Sequence, residues 1–157
     1  MSKPAALLWI VASLIGCAPQ PLPEPEPATL RTSRSKTEIV QVATRELTGA
    51  GFEVAASDTA AGTVTAKRTR ERRGNFDYIT CKFAEASLAE TNLVSTLTVT
   101  VTTTPSAGAS SVNIAASVLS TYPGLEDSPL PRSESRTDCV STGVIEKQIA
   151  AAIGRSP

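Results

Sequence analysis

The stretch Leu-Val-Ser-Thr-Leu-Thr-Val-Thr-Val-Thr at residues 93–102 decides the fold. Apolar and hydroxyl side chains alternate along it, so Leu97 and Val99 share one face of a strand while Thr98 and Thr100 share the other. A period of two with one apolar and one polar face indicates a strand that is buried on one side only. This pattern is typical of antiparallel sheets rather than buried parallel ones.

A second strand of the same kind follows a turn predicted at residues 105–110. Its apolar face consists of Val112, Ile114, Ala116 and Val118. Upstream, a hairpin is predicted with its turn at residues 58–62, and residues 76–83 indicate a further strand. The alternating apolar positions of the upstream hairpin are Phe52, Val54, Ala56, Val64 and Ala66.

Two helices flank these strands. Ser35 and Glu38 form a capping-box pattern at the start of the first helix, and Gly49 and Gly51 mark its end. The second helix has an apolar side and ends at Gly154. The order α-β-β-β-β-β-α predicts an α+β fold, a two-layer sandwich in which two helices cover one face of an antiparallel sheet of about five strands. The apolar side of the second helix consists of Val144, Ile145, Ile149, Ala152 and Ile153.

The composition limits the chemistry that the protein can perform. The 157 residues include 15 basic and 15 acidic side chains but no His, which excludes Ser-His-Asp hydrolysis and His-ligated zinc. The balanced charge argues against a nucleic-acid-binding protein. Glu126 and Asp127 lack the spacing of a calcium loop, and the other carboxylates are scattered. We therefore expect no catalytic residues, no metal site and no cofactor.

The first residues are typical of an exported protein. Residues 1–16 combine a positive charge at Lys3 with a short apolar run, as in a signal peptide. The run Leu14-Ile15-Gly16-Cys17 resembles the lipobox of bacterial lipoproteins. This resemblance covers only the first 17 residues. An ordinary signal peptide with an incidental Cys is the alternative.

The lipobox resemblance implies an anchor and a location. Cleavage after Gly16 would make Cys17 the first residue, with diacylglycerol on its sulfur and an acylated amino terminus; two or three acyl chains anchor a protein durably. Ala18 follows where relatives retained in the inner membrane often carry Asp. We expect an outer-membrane anchor facing the periplasm, with the inner membrane or cell surface as alternatives.

Residues 17–34 are predicted to be the lipidated Cys followed by a Pro-rich tether, and residues 35–157 an α+β periplasmic domain. Five prolines alternate with other residues between positions 19 and 27. This alternation favours an extended polyproline II spacer. A proline-rich ligand for a partner protein is the alternative interpretation of the same segment.

Two cysteines remain after lipidation, Cys81 and Cys139. A single pair in an exported chain predicts a structural disulfide, because the periplasm is oxidising. A redox or catalytic thiol is the alternative. It would usually show a C-x-x-C spacing or a neighbouring group suited to lowering the pKa of the thiol, and neither is evident here.

The basic run at residues 67–73 is the strongest local charge in the chain, and residues 122–138 form a long loop that is either functional or flexible. The basic run could bind anionic lipid or glycan of the envelope, or it could simply be a solvated hairpin end. Its cations are Lys67, Arg68, Arg70, Arg72 and Arg73.

The sequence thus predicts a lipid-anchored envelope lipoprotein with a small binding domain. We expect a non-catalytic component or partner of an outer-membrane assembly or secretion complex, which contacts the membrane through its lipid and other envelope proteins through its domain. The alternative is a periplasmic hydrolase or glycan-modifying enzyme that uses carboxylates.

Overall fold

The computed structural model describes residues 22–71, 77–81, 94–121 and 139–155. Within these ranges the chain forms seven strands and two helices, and the two longest strands lie between residues 94 and 121. The elements are β1 (Ala28–Thr32), α1 (Lys36–Gly49), β2 (Glu53–Asp58), β3 (Thr63–Glu71), β4 (Ile79–Cys81), β5 (Val94–Ser106), β6 (Ala109–Thr121), β7 (Cys139–Ser141) and α2 (Val144–Gly154).

Five of the strands form one antiparallel sheet in the order β1-β6-β5-β3-β2. The centre of the sheet is the hairpin of β5 and β6, in which Val101 lies opposite Ile114 and Val99 opposite Ala116. The predicted fold class is confirmed: two helices and an antiparallel five-stranded sheet form a two-layer α+β sandwich.

The core lies between the sheet and the helices. α1 packs on β2, β3 and β5, whereas α2 packs on β1 and β6, and the two helices contact each other. Burying each large aliphatic side chain stabilises the fold by about 1.5–3 kcal/mol. The largest fully buried side chains include Leu97, Val99, Val101, Val112 and Ile114 from the central hairpin and Ile39, Leu47, Ile145, Ile149 and Ile153 from the helices.

The folded domain begins before residue 35, which corrects the predicted boundary of the tether. β1 lies inside the predicted 17–34 tether and pairs with β6, with Ala28 opposite Ile114. Leu30 of β1 packs against the core. Leu30 alternates with more polar neighbours over only five residues, directly after the prolines. Because this stretch is so short, the Pro-rich composition suggested a tether rather than a strand.

The strand that carries Cys81 also differs from its predicted extent and partner. Of residues 76–83, only Ile79–Cys81 form a described strand, and that strand pairs with β7 in a separate two-stranded ribbon. Cys81 lies directly opposite Cys139, and the two form the predicted disulfide with an S–S distance of 2.00 Å. Ile79 and Cys139 are buried against the core. The ribbon therefore extends the helical layer rather than the sheet.

The predicted capping box at the start of α1 is present. The backbone N–H of Ser35 donates to Glu38 Oε2 at 2.8 Å, and the backbone N–H of Glu38 donates to Ser35 Oγ at 3.3 Å. The backbone N–H of Ser35, followed by its hydroxyl, lowers the pKa of Glu38. These bonds satisfy donors that the first helical turn leaves without partners.

We expect the disulfide to contribute strongly to stability, because it closes a loop with a sequence separation of 58. The double variant Cys81→Ala, Cys139→Ala should lower the free energy of unfolding by about 2–4 kcal/mol in urea denaturation. Reducing the wild-type protein should give a similar loss, whereas the reductant should not affect the double variant. Two free thiols at these positions in mass spectrometry of the exported protein would contradict the assignment.

Candidate functional surface

The predicted basic run does not form one continuous surface in the part that the structure describes. In β3, Val64, Ala66 and Arg68 belong to the face covered by the helices, whereas Lys67 and Thr69 are exposed on the opposite face. We call that opposite side, which carries no helix among the described residues, the open face. Neighbouring cations of β3 thus lie on opposite sides of the sheet.

Arg68 connects α1, the sheet and the ribbon. Its Nη1 donates to the carbonyl oxygen of Ala50, just after α1, at 2.8 Å. Its guanidinium carbon lies 5.9 Å from the ring centre of Phe52 and 5.5 Å from that of Tyr78, which precedes β4. The two rings contact each other with centres 5.8 Å apart. Arg68 is therefore held by a carbonyl and two aromatic rings, an arrangement that stabilises the packing of the ribbon.

The side chains of the remaining cations of the run lie outside the described part of the structure. Arg72 and Arg73 are not among the described residues, and the same is true of the side chain of Arg70. Binding of an anionic partner by the basic run remains a prediction. Of its members, Lys67 is described as an exposed cation on the open face, where it lies opposite Glu53 and Thr98.

The open face is lined by hydroxyl and small side chains. β5 and β6 contain no charged residue between Val94 and Thr121. Cross-strand neighbours on this face include Thr69 and Thr96, whose hydroxyl oxygens lie 3.0 Å apart. The described members of β5 and β6 on this face are Val94, Thr96, Thr98, Thr100, Thr102, Thr104, Ser111, Asn113, Ala115, Ser117 and Leu119.

One large apolar side chain lies exposed on the open face. Leu119 is 54% exposed, and it stands opposite Thr96 of β5. The solvated face of an antiparallel sheet is usually polar, and charges of both signs spread over a surface favour solubility. A single exposed Leu is common on protein surfaces. The lack of charge over both strands of the hairpin is what makes this face a candidate contact surface among the described residues.

Apart from Lys67 of β3, the described charges of the open face lie on the two edge strands of the sheet. Arg31 of β1 is exposed at one edge, and Glu53 and Asp58 of β2 are exposed at the other. Oδ1 of Asp58 accepts hydrogen bonds from the backbone N–H groups of Ala60 and Ala61 at 2.8 and 2.9 Å. The carboxylate thus closes the turn to β3 and still leaves its second oxygen at the surface.

A buried carboxylate lies on the other side of the sheet, at the start of α2. Glu146 is 2% exposed, and its Oε1 accepts a hydrogen bond from the Ser141 hydroxyl at 2.8 Å. The same hydroxyl accepts from the backbone N–H of Gly143 at 3.1 Å. A carboxylate in the first helical turn is favoured by the helix dipole. Glu146 therefore orders the junction of the ribbon and α2.

The described residues also bear on a metal site and on a membrane-spanning helix. Across the described ranges, no group of three His, Cys, Asp or Glu residues is placed to hold a metal ion. No helix within those ranges is long and apolar enough to cross a membrane. Cys17 and the loop at residues 122–138, with Glu126 and Asp127, lie outside the described residues, so lipidation and the role of the loop stay predictions.

The sequence predicts that the threonines of β5 form a solvated face, and the described part of the structure leaves this face without a covering helix. Alternation alone does not distinguish a solvated face from a face that contacts another protein. The absence of Lys, Arg, Asp and Glu from both strands of the hairpin is also visible in the sequence. The contacts of Arg68 and the pairing of β1 with β6 are harder to predict, because they join residues that are distant in sequence.

Comparisons with known proteins identify no family for this chain. No protein-family model matches it, and no curated protein matches it. A crystal structure of a DUF4468 family protein from Bacteroides ovatus ATCC 8483 aligns with 62% of this chain and 56% of its own chain, at 16% sequence identity and a TM-score of 0.34. The match thus spans little more than half of that protein.

We expect Arg68 and Lys67 to respond differently to the same substitution. Arg68→Gln should lower the free energy of unfolding by about 1–3 kcal/mol, because it removes the bond to Ala50 and the contacts with both rings. Lys67→Gln, its neighbour, should change it by less than about 0.5 kcal/mol. Urea denaturation measures both, and equal effects would contradict the structural role of Arg68.

Proposed function

We propose that this protein is a lipid-anchored lipoprotein of the bacterial envelope whose α+β domain binds another protein through the open face of its sheet. It works without catalysis, as a component of an outer-membrane assembly or secretion complex. The observation that carries the proposal is the charge-free hairpin of β5 and β6, which presents a broad uncharged surface.

The path of the chain supports an anchor close to the domain. Ala28 already belongs to the sheet, and Pro25 Cβ lies 3.7 Å from the position that a Cβ on Gly143 would occupy. Residues 18–24, which include Pro19, Pro21 and Pro23, therefore form the whole spacer between Cys17 and the domain. In an extended polyproline II conformation, residues 18–24 would span about 22 Å.

A short spacer suits a domain that binds a partner at the membrane. Because the anchor restricts the domain to a thin layer next to the bilayer, a partner in the same layer meets it at a high effective concentration. A moderate affinity of the open face is then sufficient for assembly. The proposal accordingly requires both an acylated Cys17 and an unobstructed sheet face.

The anchor is tested by Cys17→Ser. We expect this variant to lose incorporation of labelled palmitate and to move from the membrane fraction to the soluble fraction or remain an uncleaved precursor. Ser13→Ala, in the same segment but outside Leu14-Ile15-Gly16-Cys17, is the matched control and should behave as wild type. Continued acylation of the Cys17→Ser chain would refute the anchor assignment.

The binding face is tested by Thr98→Lys, which places a charge in the middle of the uncharged hairpin. We expect the assembly that contains the protein, extracted from the envelope in mild detergent and sized on a native gel, to fall to the mass of the monomer. Gln41→Lys adds the same charge to an exposed position of α1 and should leave the mass unchanged. If both variants retain the wild-type mass, the open face is not the binding surface.

A further inference from the structure

We propose that the partner of the open face is a second copy of this chain, packed face to face around a two-fold axis that runs along β5. This inference rests on the proposed function, because it names the occupant of the same surface. The area of the face, the lack of charge in β5 and β6 and the distribution of the charges on the edge strands all favour a self-complementary contact.

The open face has the area that a stable dimer needs. Each strand residue covers about 16 Å² of the sheet plane, since residues are spaced by about 3.3 Å along a strand and strands by about 4.8 Å. The five strands therefore present roughly 700 Å² per copy. Two packed faces would bury roughly 1,400 Å², within the range of about 1,200–2,000 Å² for specific interfaces.

Burying β5 and β6 does not require the burial of a charge, and Lys67 of the neighbouring β3 lies opposite the acidic Glu53 of β2. β5 and β6 contribute hydroxyl groups, Asn113, small side chains and Leu119. Hydroxyl groups can donate and accept, and pairs such as Thr69 with Thr96 already bond within the sheet. The methyl groups of the threonines and the exposed side chain of Leu119 supply the apolar area that drives association.

The edge charges select the direction of the symmetry axis. A two-fold axis parallel to the strands places the β1 edge of one copy over the β2 edge of the other, so Arg31 comes near the acidic Asp58 of its partner copy. The register sets these two residues within about one side-chain row of each other, roughly 7 Å along the strands. An axis perpendicular to the strands would instead stack the acidic edge on itself.

The strand order places β5 on this axis. Because β5 is the third of five strands, its open-face residues would meet the same residues of the second copy. Thr100 lies in the middle of the face, opposite Thr65 on one side and Ala115 on the other. The same symmetry places Leu119 of β6 over β3 of the second copy, close to Thr69.

The test is cross-linking of the full-length protein that carries Thr100→Cys. Packed sheets lie about 10 Å apart, beyond the reach of a disulfide, so a bismaleimide with a spacer of about that length is used. We expect most of the detergent-extracted protein to form a covalent dimer. Thr98→Cys, also on the axis, is a second variant in case one substitution disturbs folding. Wild-type protein measures the background of the native cysteines, and Gln41→Cys is the matched control on α1.

Each outcome decides the inference. Dimers from Thr100→Cys and Thr98→Cys, without dimers from Gln41→Cys, support it, and Arg31→Glu should then lower the dimer yield several-fold, whereas Arg45→Glu should not. Equal cross-linking of all variants, or none at either axis position, overturns the second copy as partner. If Thr98→Lys still reduces the assembly mass in that case, the face binds a different protein and the proposed function stands. If Thr98→Lys also has no effect, both fail.

Discussion

The antiparallel pairing of β5 with β6 is the contact on which the rest of the structure depends. Thirteen residues of each strand are joined in one register, which places Leu97, Val99 and Val101 on the same side as Val112 and Ile114. A slip of one residue would turn these side chains toward solvent and the threonines toward the helices. Both helices, the edge strands and the character of the open face follow from this register.

The second layer is completed by the ribbon rather than by the helices alone. The pairing of β4 with β7 would be marginal as an isolated two-stranded ribbon. The disulfide, the burial of Ile79 and the contacts of Arg68 with Tyr78 hold it against the core. Three kinds of interaction, covalent, apolar and cationic, thus fix a segment whose backbone pairing covers only three residues per strand.

The sequence was sufficient for the features that local periodicity controls. Alternation located the central hairpin, the 3.6-residue pattern located both helices, and Ser35 with Glu38 located the start of α1. Pairing between distant segments was not accessible in this way: nothing near Leu30 indicates that β1 joins β6. The position of Arg68 was likewise unpredictable as part of a basic run, because strand alternation and the distant Tyr78 determine its contacts.

The placement of β1 at the edge of the sheet also has a mechanical consequence. A force that enters the domain from the Pro-rich side passes Pro25, which lies beside Gly143, and is then carried along the chain into β1. The load then falls on five residue pairs between β1 and β6, together with the contact of Leu30 with the core. Tension along the strand loads all of these hydrogen bonds at the same time, in shear, rather than breaking them one after another.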